Sequence, residues 1–269
     1  MSQQHNGRSL GHQARKRFGQ NFLQDTGIIS RIVRAVRPSG HDRLVEIGPG
    51  MGAITEQLLA QNEGALDVIE LDRDLIPGLR VKFFNYPDFK IHEADALKFD
   101  FNQLKIDERP LRIVGNLPYN ISTPLIFHLL AQSCVADMHF MLQKEVVHRL
   151  AAHPGGGEWG RLSVMAQYFC QVECLFEVPP ECFIPRPKVD SAIVRLTPYE
   201  TPPYPADDLK MLDDTVRRSF AQRRKTLRNN LKGLVEADDL QRLEIDPQRR
   251  PETLSLEEFV RISNWRSQE

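Results

Sequence analysis

The chain has 269 residues, of which 41% are hydrophobic and 26% charged, and its formal net charge is −1 at pH 7. This length accommodates one large domain and a small one. The near-zero charge excludes a generally basic nucleic-acid-binding protein, so any such binding must come from local segregation of charge. No apolar run approaches the ~20 residues of a membrane span, and the amino terminus lacks the apolar core of a secretory signal.

The cysteines and histidines give no metal-binding pattern. The four cysteines contain no C-x-x-C pair, and the eight histidines contain no H-E-x-x-H pattern. We therefore expect no bound metal, and reduced thiols in a cytoplasmic protein. Residues 1–20 are basic and precede the first acid, Asp25, and we expect them to form a flexible arm. A mitochondrial presequence is the alternative interpretation of this arm, although it shows no clear amphipathic pattern.

Strands and helices alternate along the first half of the chain. A helix that begins at Asp25 or Thr26 places five apolar residues on one face. Segments 44–47, 67–70, 89–92, 112–116 and 138–142 have the composition of buried strands, and helical patterns follow most of them. This alternation predicts an open, mostly parallel sheet covered on both faces. Ligands of such sheets bind at the carboxyl ends of the strands.

The last third of the chain has a different organisation. Segments 173–178 and 191–197 resemble a final antiparallel strand pair, and three prolines in residues 199–206 indicate a linker. From residue 207 onward, apolar residues recur at helical spacing, beginning with Leu209, Leu212, Val216 and Phe220. We predict an α/β domain over 1–198, which includes the arm 1–20, a linker over 199–206 and a small all-α domain over 207–269.

A tetrad, Asn116-Leu117-Pro118-Tyr119, follows the fourth predicted strand. The Asn116 side-chain oxygen and the Leu117 carbonyl can accept the two hydrogens of an amino group on a flat base. Pro118 fixes the turn, and the Tyr119 ring can stack on the base. An ordinary strand-to-helix turn would use similar residues, so the tetrad alone does not decide the function.

A glycine-rich turn follows the first predicted strand, with Glu46 at the strand end and Gly48, Gly50 and Gly52 in the turn. Glycines let the backbone approach a ligand closely and adopt positive φ. Glu70 ends the next strand, where a carboxylate can accept both hydroxyls of a ribose. Asp95, after the third strand, can meet an adenine amino group.

The glycine turn also fits the dinucleotide-binding pattern, so a nicotinamide-dependent oxidoreductase is an alternative. Three features favour S-adenosylmethionine instead. Glu46 suits a cationic amino acid better than a pyrophosphate, and Pro49 removes an N–H that a phosphate would use. The base-holding tetrad also has no role in hydride transfer. A glycine turn needed only for packing is the third interpretation.

The ordered set of motifs resembles the ribosomal RNA adenine dimethyltransferase family over nearly the whole chain. The matching segments are 17–23, 46–52, 70–72, 95–96, 116–119, 183–191 and 223–231. The resemblance implies a Rossmann-like, S-adenosylmethionine-dependent methyltransferase domain with a small carboxyl-terminal helical domain. It also implies that Asn21 and Leu23 contact the cofactor together with the acids and glycines above, and that Asn116 serves both cofactor and base.

The target base must leave its stack to be methylated, and Tyr119 and Phe183 are the aromatic residues that we expect to clamp it. Phe183 precedes a proline-rich turn, so a role as an ordinary core aromatic is the alternative. The catalytic set that we predict is therefore Asn116, Leu117, Pro118, Tyr119 and Phe183.

A basic segment without acids runs from Arg217 to Lys232, after a group of aspartates at 207–214. On a continuous helix, residues 217, 224, 228 and 232 would share part of one face. A solvated surface is the alternative explanation. With the family resemblance, we predict an RNA-binding set formed by Arg186, Lys188, Arg217, Arg223, Arg224, Lys225, Arg228 and Lys232.

The resemblance is closest to the bacterial enzymes that dimethylate two adjacent adenosines near the 3′ end of small-subunit ribosomal RNA. The expected partner is that RNA or an immature small ribosomal subunit, and the expected protein is a cytoplasmic monomer without membrane contact. A non-catalytic RNA-binding assembly factor on the same fold is the second alternative beside the oxidoreductase.

Overall fold

The computed structural model describes residues 21–268, so the arm predicted for residues 1–20 lies outside the described residues. The strands of the described part are Phe22–Leu23 (β1), Arg43–Ile47 (β2), Leu66–Glu70 (β3), Phe89–Glu93 (β4), Leu111–Asn116 (β5), Val135–Gln143 (β6), Cys170–Val178 (β7), Phe183–Ile184 (β8) and Ser191–Pro198 (β9). The helices are Thr26–Val36 (α1), Ala53–Gln61 (α2), Ile76–Lys82 (α3), Ser122–Leu130 (α4), Lys144–Leu150 (α5), Arg161–Phe169 (α6), Leu209–Ser219 (α7), Leu227–Asn230 (α8), Ala237–Arg242 (α9) and Leu256–Arg266 (α10).

Seven strands form one sheet in the order β4-β3-β2-β5-β6-β9-β7, and β1 pairs with β8 in a separate two-stranded sheet. Strand β2 is parallel to both β3 and β5, and β3 is parallel to β4, as the alternation of strands and helices predicts. Ile47 lies opposite both Ile69 and Gly115. This register brings the carboxyl ends of β2, β3 and β5 to one edge of the sheet.

The first helix illustrates how the sequence determines an element. The Asp25 side chain accepts a hydrogen bond of 2.8 Å from the Ile28 backbone N–H and so begins α1. The buried face consists of apolar residues at helical spacing, and Arg37, with φ of 52°, ends the helix in the left-handed conformation. The buried residues of this face are Ile29, Ile32, Val33 and Val36.

The chain packs as two compact units. One consists, in its described part, of residues up to 135 with 139–142 and 177–191, and the other of 136–138, 143–176 and 192–268. In the second unit, helix α10 packs against α7 and α6, and the buried Trp159 indole N–H donates to the Leu254 carbonyl at 2.9 Å. This unit contains more of the chain than residues 207–269, and the predicted division at 199–206 stays a prediction.

The basic segment 217–232 is not one helix, so the expected shared face was wrong. Helix α7 ends at Ser219, and the chain turns before α8 begins at Leu227. The Asn230 side chain organises this turn: its oxygen accepts from the Gln222 N–H at 3.1 Å and its nitrogen donates to the carbonyls of Gln222 and Lys225 at 3.2 Å. A side chain that bonds the backbone in this way competes with helix formation.

Among the described residues, no helix combines the length and the apolar character needed to cross a bilayer. Within the same range, no three histidine, cysteine, aspartate or glutamate side chains lie together as a metal site.

Candidate functional site

A cleft of about 340 Å³ lies at the carboxyl ends of β2, β3 and β5. It brings together residues that are separated by up to 162 positions in the sequence, as expected for a parallel sheet. The predicted site residues that line it are Asn21, Leu23, Glu46, Gly48, Gly50, Glu70, Asp95, Asn116, Leu117, Pro118, Tyr119 and Phe183. Gly52 is the one predicted cofactor residue that is not part of the lining.

The glycine turn between β2 and α2 requires glycine for two different reasons. Gly48, Gly50 and Gly52 have φ of 67°, 60° and 78°, which are strained for other residues. A Cβ on Gly52 would also lie 2.7 Å from the Phe83 ring. The first two glycines line the cleft, where no side chain takes up space beside the backbone, whereas packing against Phe83 accounts for Gly52.

Glu46 is buried, with 2% of its surface exposed, and one carboxylate oxygen accepts a hydrogen bond of 2.6 Å from the Thr55 hydroxyl. The pKa of Glu46 is raised to about 7. Burial is the largest cause, the Thr55 bond acts against it, the negative charge of Glu70 adds to the rise, and Lys82 lowers the pKa. Thr55 was not among the predicted site residues. Its only signal was a hydroxyl in the first turn of α2, after a glycine turn.

Glu70 ends β3, and both of its carboxylate oxygens accept backbone hydrogen bonds. One oxygen accepts from the Asp72 N–H at 2.7 Å and the other from the Gly50 N–H at 3.4 Å. Burial raises the pKa of Glu70 in spite of these donors. Asp95 is held by the Leu97 N–H, which donates to its side chain at 3.0 Å.

Three carboxylates of the cleft, Glu46, Glu70 and Asp95, have no basic ion-pair partner among the described residues. Within residues 21–268, no lysine or arginine forms an ion pair with Glu46, Glu70 or Asp95. Lys82, the cation that acts on Glu46, is engaged by Glu56 at 2.9 Å and by the Gly52 carbonyl at 3.3 Å. Acidic groups that are buried without a counter-ion favour a ligand that carries positive charge.

The orientation of the Asn116 amide follows from its hydrogen bond. Its side-chain nitrogen donates to the Asn21 backbone carbonyl at 3.1 Å. This bond assigns the two ends of the amide and leaves the side-chain oxygen as the acceptor that the sequence analysis requires. Asn21 therefore contributes to the site through its backbone, a role that its side-chain type does not reveal.

The other members of the tetrad are fixed by the strands around them. Leu117 is buried, and its N–H donates to the Met141 carbonyl at 3.2 Å. The Pro118 carbonyl accepts from the Ile121 N–H at 3.2 Å, which closes the turn before α4. The Tyr119 hydroxyl lies 3.2 Å from the hydroxyl of Ser191, a buried residue at the start of β9. The ring is thus held at its far end.

Phe183 reaches the cleft through the small two-stranded sheet, in which Leu23 is paired with it and Phe22 with Ile184. Phe183 is 3% exposed and lines the cleft, so it serves as a core residue as well as a wall of the site. Phe22 also lines the cleft and lies near Gly50, whose Cβ would be 3.2 Å from its ring. Phe22 was not predicted as a site residue, although its position between the expected cofactor residues Asn21 and Leu23 could have indicated it.

The predicted RNA-binding residues divide into two groups by their partners. Arg186 pairs with Glu181, Arg217 pairs with Asp214, and Arg223 donates to the carbonyls of Gly157 and Trp159. The other group is exposed, and its side chains form no ion pair or hydrogen bond within residues 21–268. These residues are Lys188, Arg224, Lys225, Arg228 and Lys232.

Together, the parallel sheet, the glycine turn and the acidic cleft beside a base-binding tetrad define an α/β, Rossmann-like, S-adenosylmethionine-dependent methyltransferase. A family model described as "Ribosomal RNA adenine dimethylase" matches residues 11–268, and the chain belongs to this family. The predicted fold class, cofactor and enzyme class are confirmed.

Relatives and solved structures agree with this membership. Proteins named "Ribosomal RNA small subunit methyltransferase A" from Chromohalobacter salexigens and Saccharophagus degradans are 65% and 67% identical to the chain. The first match covers 96% of this chain and 93% of the relative. The second covers 94% of this chain and 95% of the relative. A dimethyladenosine transferase from Plasmodium falciparum superposes with a TM-score of 0.77 at 27% identity, over 90% of this chain and 95% of that one. The 23S rRNA methyltransferase ErmE, at 24% identity, has the same fold, with a TM-score of 0.72 over 93% and 100% of the two chains.

Family membership also decides between the alternatives. An oxidoreductase that uses a nicotinamide cofactor was the wrong interpretation of the glycine turn, because the family transfers methyl groups. The family likewise defines an enzyme in place of a non-catalytic assembly factor.

Proposed function

We propose that the chain dimethylates the N6 amino groups of two adjacent adenosines near the 3′ end of small-subunit ribosomal RNA. The names of the relatives support the small-subunit target. The observation that carries the chemistry is the Asn116 amide, whose nitrogen is engaged by the Asn21 carbonyl while its oxygen is left to accept an amino hydrogen. This acceptor lies on the same cleft as the acids Glu46 and Glu70.

The bound S-adenosylmethionine supplies an electrophilic methyl group. The adenine amino nitrogen is a poor nucleophile because its lone pair is delocalised into the ring. Acceptors on both amino hydrogens, the Asn116 oxygen and the Leu117 carbonyl, favour a pyramidal nitrogen with a localised lone pair. The residues of the tetrad therefore align the nitrogen and stabilise the positive charge that develops on it. A strong general base is unnecessary, since the methylated cation loses its proton readily.

The acids of the cleft are assigned to different parts of the cofactor. Glu70, fixed by two backbone N–H groups, accepts the ribose hydroxyls, and Asp95 meets the adenine amino group. Glu46 lies where the positively charged amino acid end binds. Gly48 and Gly50 allow the close approach, and Asn21 and Leu23 cover the cofactor from the amino-terminal segment.

The aromatic residues hold the base after it has left its stack. Tyr119 and Phe183 both line the cleft, and stacking of a base on an aromatic ring contributes roughly 1–3 kcal/mol. The pocket has to admit the same base twice, so it must tolerate a nitrogen that already carries one methyl group. The bond between Tyr119 and Ser191 keeps the ring in place for both transfers.

The exposed cations without an acidic partner are the best candidates for phosphate contacts. Arg224, Lys225, Arg228 and Lys232 meet this description, and Lys188 does so separately. Arg186, Arg217 and Arg223 complete the proposed RNA-binding set, although their internal bonds reduce what they gain from a phosphate. We place the activity in the cytoplasm, on small-subunit RNA or an immature subunit, with the protein acting as a monomer.

The direct test is incubation with isotopically labelled cofactor and small subunits that lack the modification, followed by mapping of the product by mass spectrometry. We expect two neighbouring dimethyladenosines near the 3′ end of the RNA. Unmodified large subunits serve as the matched control and should stay unlabelled. Label in the large subunit alone, or on a base other than adenine, would contradict the proposal.

The RNA surface is tested by salt dependence. The variant Arg224→Gln/Arg228→Gln removes two unpaired cations, whereas Arg242→Gln/Arg261→Gln removes two that are paired with Asp239 and Glu257. Each lost phosphate contact should lower the slope of log affinity against log salt by about 0.7–0.9. We expect a fall of roughly 1.5 for the first variant and little change for the second. Equal slopes in the two variants would show that the segment with Arg224 and Arg228 is not part of the RNA-binding surface.

A further inference from the structure

One buried hydrogen bond in the cofactor cleft has no counterpart among the assigned roles. The Thr55 hydroxyl donates to a Glu46 carboxylate oxygen at 2.6 Å, and the two side chains are 0% and 2% exposed. Glu46 lines the cleft, whereas Thr55 does not. Thr55 therefore binds one oxygen of Glu46 without occupying space that a ligand would use.

Charged groups of both signs surround Glu46. Glu70 on β3 opposes its ionisation, and Lys82 on α3 favours it from a position where it is already bound by Glu56 of α2. Asp72 and Asp95 line the same cleft, and β5 contributes the neutral Asn116. Burial raises the pKa of Glu46 to about 7, so near neutral pH the free protein contains a mixture of protonated and ionised Glu46.

We propose that Thr55 is a positioning residue that holds the Glu46 carboxylate for the ammonium group of S-adenosylmethionine, and that cofactor binding expels a proton from Glu46. The inference rests on the proposed function because it takes this cofactor as the ligand. In the binding step an ammonium N–H forms a hydrogen bond to the carboxylate, and the Glu46 proton passes to water or buffer. No covalent bond of the cofactor changes.

The sign of the pH effect follows from this exchange. A cation beside Glu46 favours its charged form, so the pKa is lower in the complex than in the free protein. Below the free pKa the proton must be removed before binding, and affinity is lost as the pH falls. With a free pKa of about 7, the ionised fraction falls roughly 25-fold between pH 7.5 and pH 5.5, and affinity should fall by a similar factor.

Calorimetric titration of the full chain with S-adenosylmethionine tests the proposal, with the demethylated product as a second ligand. Titrations at several values between pH 5.5 and 7.5, in buffers of different ionisation enthalpy, give the affinity and the number of protons released. We expect release of about half a proton at pH 7. In Glu46→Gln this release should vanish and the pH profile should become flat.

Thr55→Val keeps the side-chain shape and removes the donor, so the free pKa of Glu46 rises. We expect affinity several-fold lower at pH 7 and more protons released per cofactor, with the steep part of the profile shifted to higher pH. Thr55→Ser restores the donor and should restore the wild-type profile. Thermal unfolding confirms that each variant is folded. Glu46→Gln decides the source of the proton, and Thr55→Ala, which also removes the donor, decides the role of Thr55 where Thr55→Val fails to fold.

The outcomes separate this inference from the proposed function. If the cofactor binds with no proton release, or if Thr55→Val has the wild-type profile, the inference is overturned while the methyltransferase assignment stands. If the proton release persists in Glu46→Gln and vanishes in Glu70→Gln, the proton belongs to Glu70 and the inference is also overturned. If neither ligand binds at any pH, the cofactor assignment itself fails.

Discussion

At the amino ends of strands β2 and β5, charged side chains are paired with opposite charges, whereas Glu46 and Glu70 at the opposite edge of the sheet are buried beside uncharged donors. Arg43 and Glu46 lie three residues apart on β2, and Arg112 and Asn116 lie four apart on β5. The same strands therefore carry two kinds of polar cluster, and the difference shows which cluster is complete without a ligand.

The amino-end cluster pairs its charges internally, although the buried Nε of Arg43 has no hydrogen-bond partner in the described structure. Arg112 bonds the Asp42 carboxylate at 2.7 Å and the Val36 carbonyl at 2.6 Å. The Asp107 carboxylate forms ion pairs with the guanidinium groups of Arg109 at 2.6 Å and Arg43 at 3.1 Å. These partners hold the pKa of Asp107 well below its usual range. Charges paired in this way stabilise the fold and leave little capacity for a ligand.

The carboxyl-end cluster has the opposite property. Burial raises the pKa of both Glu46 and Glu70, and their donors are a hydroxyl and backbone N–H groups. The free energy lost by burying these carboxylates is not recovered within the described chain. The proposed cofactor would bring a cation to Glu46 and hydroxyl donors to Glu70, so we propose that the incomplete cluster is the functional one.

The largest effect is expected for Asn116→Ala, which removes the proposed acceptor of the target amino group. Methylation of unmodified small subunits under single-turnover conditions should fall by at least about 10²-fold, the usual cost of losing a transition-state hydrogen bond. RNA affinity in a filter-binding assay should change little. Asn102→Ala is the matched control, since that exposed amide bonds only Asp100 in the described structure. Joint loss of RNA binding and methylation would contradict the assigned role.

Neutralising a carboxyl-end charge should stabilise the free protein. Glu46 has a pKa of about 7 in the folded state and an ordinary value when unfolded, so its contribution to stability is present at low pH and is lost as the pH rises towards 7. Glu46→Gln has no group that ionises, so this loss of stability with rising pH should disappear. The free energy of unfolding at pH 8 should increase on the order of 2–3 kcal/mol, with almost no change near pH 4.5. Urea denaturation at the two pH values measures it, and a destabilised variant at pH 8 would break the comparison.

Neutralising an amino-end charge should have the opposite sign. Arg112→Met keeps the apolar part of the side chain but leaves Asp42 unpaired and the Val36 carbonyl without its donor. We expect the free energy of unfolding to fall by about 2 kcal/mol, because groups left without partners bear the cost of desolvation. The affinity for the cofactor, measured by calorimetry at a temperature where the variant is folded, should not change. A loss of affinity would mean that the two ends are coupled.

The carboxyl-end cluster was predictable because each of its motifs is short and follows a strand that the sequence reveals. Glu46 with its glycine turn, Glu70, and the tetrad from Asn116 all come directly after apolar segments, and parallel strands place such positions at one edge. Helix α1 was equally readable from its cap and its apolar face. By contrast, the start of helix α3 at Ile76 has no such signal, because Asp72 and Asp74 first form a turn.

The rest depends on contacts that no local pattern encodes. The pairing of Leu23 with Phe183 joins two strands that lie 160 positions apart. Each strand has only two residues, which is too few to show a periodic pattern. Helix α6 begins after Gly160, which has no side chain to cap it, so no capping residue marks its start in the sequence. The basic segment looked helical throughout, and the turn within it exists because Asn230 bonds the backbone of Gln222 and Lys225. Such side-chain bonds override helix propensity.

The smallest effect is expected for Tyr119→Phe, which tests a carboxyl-end residue whose polar atom already has an internal partner. The Tyr119 hydroxyl is bonded to Ser191 at 3.2 Å, so the ring alone should act on the base. A neutral hydrogen bond of this kind contributes about 0.5–1.5 kcal/mol, and kcat/KM for methylation should fall no more than about tenfold. Because Ser191→Ala breaks the same bond, the double variant should lose no more than Ser191→Ala alone. If kcat/KM for methylation fell more than about 10²-fold in Tyr119→Phe, the hydroxyl would act on the reacting nitrogen. Tyr119 would then belong with the incomplete cluster and not with the internally satisfied groups.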